Sequence, residues 1–133
     1  MPITRVTSDT VSEPPPETWS NCLLVDGVAY VAGLTSRSDE FNRVEGDDEY
    51  SQTVIIFNKF KAYIEAAGGR MSDVTKVTIF VTNIANREQV WKGRREFFEG
   101  NFPASSLIEI SALAMPEMLV EIEGIAHIGA SSR

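Results

Sequence analysis

FPASSLIEI at Phe102–Ile110 and LVEIEGIA at Leu119–Ala126 are two apolar stretches that predict β-strands near the end of the chain. Successive side chains of a strand point to opposite faces of its sheet, so Glu121 and Glu123 share one face. That face is either solvated or the wall of a partly desolvated cleft, where burial would raise the pKa of a carboxylate toward the range useful for proton transfer. We expect the two strands to place Ser105 and Glu121 at one cleft.

Local signals upstream of these strands predict a hairpin followed by a helix. Asp26-Gly27 joins two apolar runs, Trp19–Val25 and Val28–Gly33. The pair suits a type I′ turn, because both turn positions need a positive φ angle and glycine adopts one without steric cost. Apolar residues at helical spacing predict a helix over 48–67, and Gly68-Gly69 supplies the left-handed stop expected after a helix end.

The remaining segments complete the predicted order of elements. Three of them are a short strand over Ile3–Val6, a long loop over Leu34–Asp47 and a strand over Val74–Val81. Asn86 and Gln89 have the spacing of a capping box, which predicts a helix from Arg87 to about Phe98. The order β-β-β-α-β-α-β-β indicates an α+β fold: a six-stranded, mostly antiparallel sheet with two helices on one face.

Composition limits the classes of function. The chain has 133 residues, which suits a single domain over 1–133, and its 43% apolar and 23% charged residues are typical of a globular protein. The formal charge of −7 repels phosphate backbones and argues against a nucleic-acid partner. No signal pattern opens the chain and no apolar run approaches the roughly 18 residues of a membrane span. We therefore expect a cytoplasmic protein without a membrane partner.

Cys22 and His127 are the only cysteine and the only histidine. A single cysteine cannot form an intrachain disulfide, as is usual in a reducing compartment. A single histidine excludes clustered histidine metal sites and argues against a histidine-based catalytic triad. We expect neither a metal nor another cofactor.

The ordered set of motifs resembles the RidA/YjgF family of small trimeric enamine and imine deaminases, also called the L-PSP endoribonuclease family. The resemblance covers about residues 17–128. It depends on the hairpin with Gly33, the helix end Glu65–Gly68 (EAAG), the strand Lys76–Val81 (KVTIFV) and the final run Glu121–Ala126 (EIEGIA). It implies one RidA/YjgF-like domain with a chorismate-mutase-like fold, packed as a trimeric barrel with ligand clefts between subunits.

The resemblance also implies roles for two residues. Glu121 matches the family glutamate that positions the hydrolytic water. Ser105 stands where the family has an arginine that clamps the substrate carboxylate through a two-pronged contact, which a short neutral hydroxyl cannot make. Losing a hydrogen bond to a charged group costs about 1.5–3 kcal/mol. Deamination of simple 2-aminoacrylate-type substrates is therefore disfavoured unless another cation substitutes.

Two arginines are candidates for that cation. Arg37 lies in the predicted loop after the third strand, and Arg94 lies one helical turn after Trp91 on the second predicted helix. The alternative for each arginine is a surface position with a solvated guanidinium.

Four further residues match positions that contact the ligand in the family. Trp19 matches a tyrosine, Gly33 a glycine whose backbone meets the ligand, Trp91 a cleft-facing asparagine and Leu107 a small polar or cysteine residue. A position in the core would explain Trp19 equally well. A turn or close packing at the end of a strand would explain Gly33 equally well. Leu107, together with Trp19, Trp91 and Met115, would make the cleft more apolar than is usual in the family.

Two hypotheses from different functional classes remain open. The first is a homotrimer that binds a small carboxylate or enamine/imine metabolite in intersubunit clefts and hydrolyses it with Glu121 as the catalytic residue. The second is a non-catalytic small-molecule-binding or accessory protein that has lost the deaminase activity. The negative charge of the chain argues against the ribonuclease activity that the family name suggests.

Overall fold

A computed structural model describes residues 2–40 and 42–131 of the chain. Within these residues the chain forms eight strands and two α-helices: β1 (Thr4–Arg5), β2 (Cys22–Val25), β3 (Val28–Leu34), β4 (Arg37–Ser38), β5 (Arg43–Val44), α1 (Glu49–Ala66), β6 (Val74–Val81), α2 (Arg87–Arg95), β7 (Ala104–Glu109) and β8 (Val120–His127). Neither helix is long and apolar enough to cross a membrane.

Six strands form the main sheet in the order β1-β2-β3-β8-β6-β7, and β4 pairs with β5 in a separate ribbon. All neighbours in the main sheet are antiparallel except β6 and β7, which the α2 crossover joins in parallel. The predicted α+β fold is thus confirmed. Strand β6 lies between β7 and β8, so the strands that carry Ser105 and Glu121 are not neighbours in the sheet.

The core lies between one face of the sheet and the helices. On β6 the side chains of Val77, Ile79 and Val81 are fully buried, as period-two alternation requires, and α1 covers them with its aromatic residues. Gly124 of β8 allows this close approach, because a Cβ atom there would lie 2.8 Å from the ring of Phe60. The opposite side of the sheet, which we call the open face, carries half-buried and exposed residues.

The predicted hairpin and the start of the first helix are confirmed by backbone geometry. Asp26 and Gly27 both have positive φ angles, 50° and 77°, as a type I′ turn needs. Helix α1 begins after Asp48, whose carboxylate accepts a hydrogen bond from the Ser51 N–H at 2.7 Å. Gly68, with a φ of 93°, follows the end of the helix.

Three local predictions were wrong in detail. The segment 34–47 is not only a loop, because it contains the ribbon of β4 and β5. Asn86 does not cap α2: its side chain makes no capping bond and donates instead to Glu49 Oε2 at 2.8 Å. Gln89 accepts a hydrogen bond from the Tyr50 N–H at 3.4 Å, so both supposed capping residues bind helix α1. Helix α2 ends at Arg95, before the predicted end.

Cys22 on β2 is fully buried within this core. Burial, with a smaller contribution from the nearby Glu13 carboxylate, raises the pKa of its thiol to about 11.

Candidate functional site

The predicted site residues fall into two groups, one around Glu121 and the other around Ser105. Ser105 pairs across the sheet with Val77, whose side chain is buried under the helices, so Ser105 belongs to the helix side. Glu121 lies between the buried Val120 and Ile122 and therefore points toward the open face. Strand β6 also separates the two strands that carry these residues. Within one chain Ser105 and Glu121 therefore do not lie in the same cleft.

The first group lines an open groove of about 920 Å³. Its walls come from the N-terminal segment 10–21, the end of β3 with the β4–β5 ribbon, helix α1 and the connection before β8. Four of the eight predicted site residues line it: Trp19, Gly33, Arg37 and Glu121. We call this cavity the groove.

Glu121 reaches the groove because Gly33 has no side chain. A Cβ atom at Gly33 would lie 2.6 Å from Glu121 Oε2 and 2.8 Å from its Cδ. The half-buried carboxylate has a raised pKa, first because burial disfavours its charge and then because Glu123 lies nearby. The sequence left open whether Glu121 and Glu123 face solvent or a partly desolvated cleft. The geometry favours the cleft for Glu121, which is half-buried, and solvent for Glu123, which is exposed.

Trp19 does not pack in the core: 57% of the residue is exposed. Its indole Nε1–H donates to Asn21 Oδ1 at 3.0 Å, so a fixed hydrogen bond orients the ring at the groove wall. Asn21 was missed from the sequence. Only its position two residues after a candidate aromatic on the same face could have indicated a role.

Arg37 is not a free cation in the groove. Its guanidinium is paired with the Asp39 carboxylate and donates to Asn42 Oδ1 at 2.7 Å. Its carbonyl oxygen accepts a bond of 2.9 Å from Lys59 Nζ, which also donates to the Thr35 carbonyl oxygen at 2.6 Å. Burial and the nearby Arg37 charge lower the pKa of Lys59, partly offset by Asp39. These contacts fold the ribbon against α1, and they weaken the case for Arg37 as the carboxylate clamp.

The second group, which we call the helix-side cluster, consists of Trp91, Arg94, Ser105 and Leu107 on α2 and β7. Arg94 Nη1 donates to Ser105 Oγ at 3.0 Å, and Leu107 packs against the core below them. The guanidinium of Arg87 lies 5.8 Å from the centre of the Trp91 ring. A single chain therefore brings Arg94, one of the two candidate cations, next to Ser105.

Arg94 is a half-buried cation at the exposed end of this cluster's helix. No ion pair of residues 2–40 and 42–131 includes it, and its Nε–H is buried with no acceptor. Burial lowers its pKa, with a smaller contribution from Arg95. Leaving such a donor unsatisfied costs about 1–3 kcal/mol, which binding of an anion beside it would reduce. The guanidinium of Arg94, on the helix, is thus placed where it can bind a carboxylate. The neutral hydroxyl of Ser105, on the strand, cannot do so.

The described residues contain no group of three or more His, Cys, Asp or Glu side chains arranged to hold a metal ion. The groove provides the half-buried carboxylate of Glu121 and the aromatic ring of Trp19. The helix-side cluster provides the guanidinium of Arg94 beside the hydroxyl of Ser105. The domain belongs to the class of small α+β domains, with two helices and a six-stranded sheet.

Comparison with known proteins identifies the family. The family model described as Endoribonuclease L-PSP matches residues 10–128. The chain therefore belongs to this family, known also as RidA or YjgF, and the resemblance predicted from its motifs is confirmed.

Solved structures give the same result. A protein of unknown function from Pseudomonas aeruginosa is 34% identical, with a TM-score of 0.86 over 96% of this chain and 94% of its own. A member of the conserved Rid protein family from Yersinia pestis is 29% identical, with a TM-score of 0.87 over 96% and 100% of the two chains. A member of the YjgF/YER057c/UK114 family from Mycobacterium tuberculosis is 28% identical, with a TM-score of 0.80 over 96% and 100%.

Proposed function

We propose that the protein is a homotrimer that binds a small imine or enamine carrying a carboxylate and hydrolyses it to a carbonyl compound and ammonia. Glu121 is the catalytic residue of this proposal. The alternative is a trimer that binds such a metabolite without converting it.

The geometry of Glu121 is the observation that carries the catalytic proposal. Glu121 is half-buried beside Gly33 and its pKa is raised by burial and then by Glu123, which makes it a stronger base toward water than an exposed glutamate. In the proposed reaction Glu121 takes a proton from water as the water oxygen bonds to the imine carbon. That proton passes to the nitrogen to give a carbinolamine. Glu121 then carries the hydroxyl proton to the nitrogen as the carbon–nitrogen bond breaks, so that the carbonyl forms and ammonia leaves.

The trimer is part of the proposal because each half of the site is incomplete. The groove has the carboxylate and the aromatic wall, but its arginine is engaged by Asp39. The helix-side cluster has an unpaired arginine but no catalytic carboxylate. Two neighbouring copies, the groove of one facing the helix-side cluster of the next, would unite Glu121 with Arg94. In such a cleft Arg94 binds the ligand carboxylate and Ser105 holds the guanidinium in place.

The test is the hydrolysis of an imine released by an amino-acid oxidase, with the remaining imine trapped as a semicarbazone. The wild-type protein is expected to accelerate the loss of imine. Glu121→Gln should lower this acceleration by about 100-fold or more, the contribution of a general base. Glu123→Gln is the matched control, because it removes the next carboxylate on the same face but one that is exposed. It should keep most of the rate.

Two results would contradict the catalytic proposal. One is a wild-type rate equal to that of buffer, and the other is an equal loss of rate in the Glu121 and Glu123 variants. In the first case, retained binding of a 2-oxo acid by wild-type protein, weakened in Arg94→Ala, would support the non-catalytic alternative. Ser105→Arg would then show whether supplying the strand arginine creates activity.

A further inference from the structure

Lys59, on helix α1, lines the groove as a cation that is bound only by neutral groups. Its Nζ donates to the carbonyl oxygens of Thr35 and Arg37 at 2.6 and 2.9 Å. It forms no ion pair within residues 2–40 and 42–131. An ammonium group has three N–H donors, so one of them is left over after these two bonds. Lys59 therefore has both a charge and a donor with which to bind an anion.

The other charges of the groove leave this positive charge uncancelled. Three of the groove's carboxylates are held by arginines, in the pairs Glu13–Arg5, Asp39–Arg37 and Glu45–Arg43. Of the remaining two, Glu40 is exposed and Glu121 is the proposed catalytic base. Neither is among the charges that shift the pKa of Lys59. The lysine is thus the positive centre of its end of the groove.

Partial burial strengthens the attraction of Lys59 for an anion. The residue is half-buried, and burial is the main cause that lowers the pKa of its ammonium group. A charge that has lost part of its water interacts more strongly with an opposite charge than a solvated one does. Between the two carbonyl groups that hold the lysine, Ser36 is 1% exposed and its hydroxyl has no partner. Polar groups at this end of the groove therefore have hydrogen-bonding capacity to spare.

Lys59 and Glu121 act on nearby points of the groove wall. The carboxylate of Glu121 packs over Gly33, where a Cβ atom would lie 2.6 Å from Oε2. The ammonium of Lys59 binds the carbonyl oxygen of Thr35, two residues further along the chain. Two residues span at most about 7 Å. A small molecule that reacts beside Glu121 can therefore reach Lys59 through a side chain of a few bonds.

We infer that Lys59 is a specificity-determining residue that binds a second anionic group of the ligand. The inference rests on the proposed function and narrows its substrate class to imines or enamines of dicarboxylic acids. In the complete cleft, Arg94 of the next copy binds the carboxylate beside the imine carbon, and Lys59 binds the carboxylate at the other end. Imines of this class form when the amino group of an acidic amino acid is oxidised.

Equilibrium binding tests the specificity without any need for turnover. 2-Oxoglutarate has two carboxylates, and 2-oxo-5-methylhexanoate has the same shape with an isopropyl group in place of the second one. Calorimetric titration of the full-length protein is expected to show 2-oxoglutarate binding about tenfold or more tightly, the effect of one charge-assisted hydrogen bond. The preference should become smaller at high salt, because screening weakens a half-exposed ion pair.

Variants assign the preference to one ammonium group. Lys59→Met keeps the apolar stem and removes the charge, so it should weaken 2-oxoglutarate binding about tenfold and leave the binding of the isopropyl analogue nearly unchanged. Lys59→Arg should keep the preference. Lys61→Met is the matched control, because Lys61 lies on the same helix but is exposed and outside the groove. The control should bind both ligands as the wild type does.

The same comparison separates specificity from a structural role. Lys59 also ties the β4–β5 ribbon to α1, and loss of that tie alone would weaken the binding of both ligands together. If thermal unfolding shows that Lys59→Met does not fold, Lys59→Gln keeps N–H donors for the carbonyl groups and removes only the charge. The wild-type preference and its salt dependence need no variant.

Equal affinity of the wild-type protein for the two ligands, or no measurable binding of either, would overturn the inference. A preference that survives in folded Lys59→Met would also overturn it. These outcomes are separable from those of the proposed function. A preference for the diacid without imine hydrolysis would leave only the inference standing, and hydrolysis without the preference would leave only the proposed function.

Discussion

At the scale of single residues, the absence of a side chain at position 33 is as important as the presence of a carboxylate at position 121. The two residues lie on neighbouring strands, and Glu121 occupies the space that a Cβ atom of residue 33 would take. Because Gly33 does not have a positive φ angle, alanine can adopt its backbone conformation, and the steric effect can be tested alone.

Gly33→Ala is therefore expected to displace Glu121 and to lower kcat for imine hydrolysis about as much as Glu121→Gln does. A contact of 2.6 Å with the carboxylate oxygen cannot be kept, so the side chain must turn away. Steady-state kinetics and thermal unfolding together check this prediction. A fall in kcat with little change in unfolding temperature supports it, and unchanged kcat would contradict it.

The pH dependence of hydrolysis should report on Glu121 directly. Its raised pKa means that the carboxylate is protonated, and inactive as a base, up to a higher pH than an ordinary glutamate. Activity should thus fall on the acid side, below the raised pKa. Glu123→Gln removes one cause of the shift, so the acid limb of kcat should move to lower pH. Rate measurements across the acid range check the direction, and an unmoved limb would show that Glu123 does not influence the titrating group.

At the scale of elements, one buried amide on α1 organises the rim of the groove. Gln52 is 1% exposed, and its Nε2 donates to the carbonyl oxygens of Gly46 and Glu117 at 3.1 and 2.9 Å. Its Oε1 accepts from the Leu119 N–H at 2.8 Å. One side chain thus holds the segment before α1 and the connection before β8, two residues from Glu121.

Gln52→Leu should lower the free energy of unfolding by about 1–3 kcal/mol for each backbone group left buried without a partner. Urea unfolding measures the loss. Gln89→Leu is the matched control, because Gln89 is only half-buried and accepts one long bond from Tyr50. The control should be much less destabilised. Similar losses in the two variants would mean that Gln52 does not have this special role.

The elements show what local patterns could and could not predict. The turn at Asp26-Gly27 and the stop at Gly68 depend on backbone angles of adjacent residues, so the sequence was sufficient for them. Asn86 had the right spacing for a cap, but its amide binds Glu49 of the other helix. Such a tertiary contact is invisible to a local pattern.

Only part of the candidate site could be predicted, because the rest depends on contacts between segments that are distant in the sequence. Alternation along β8 correctly separated Glu121 from the buried residues beside it. Whether Ser105 lies near Glu121 within one chain depends on the order of the strands in the sheet. Strands β7 and β8 are consecutive in the chain, but β6 lies between them in the sheet. The hydrogen bonds that orient Trp19 lead through Asn21 and Tyr63 to Glu13. Glu13 and Tyr63 are 50 positions apart, and no spacing rule reaches that far.

At the scale of the whole molecule, the proposed clefts take Glu121 from one copy and Arg94 from the next. Inactive variants of the two residues should then complement each other. When Glu121→Gln and Arg94→Ala chains are co-expressed in equal amounts, about one cleft in four would hold both intact residues. Imine hydrolysis should recover to about that fraction of the wild-type rate.

Separately purified variants, measured without exchange of subunits, are the control for this mixture and should stay inactive. Activity of the mixed oligomers no higher than that of the two parents would contradict a shared cleft. Sedimentation analysis of the wild-type protein gives the number of copies independently, and a monomer at assay concentrations would end the shared-cleft model.

The protected thiol of Cys22 has a practical consequence for such work. With full burial and a pKa of about 11, it holds almost no thiolate at neutral pH and is shielded from reagents. A cysteine introduced at an exposed position, such as Phe102→Cys, would then be the only thiol open to a maleimide dye. Subunits could be tagged for energy-transfer experiments with the native cysteine left in place.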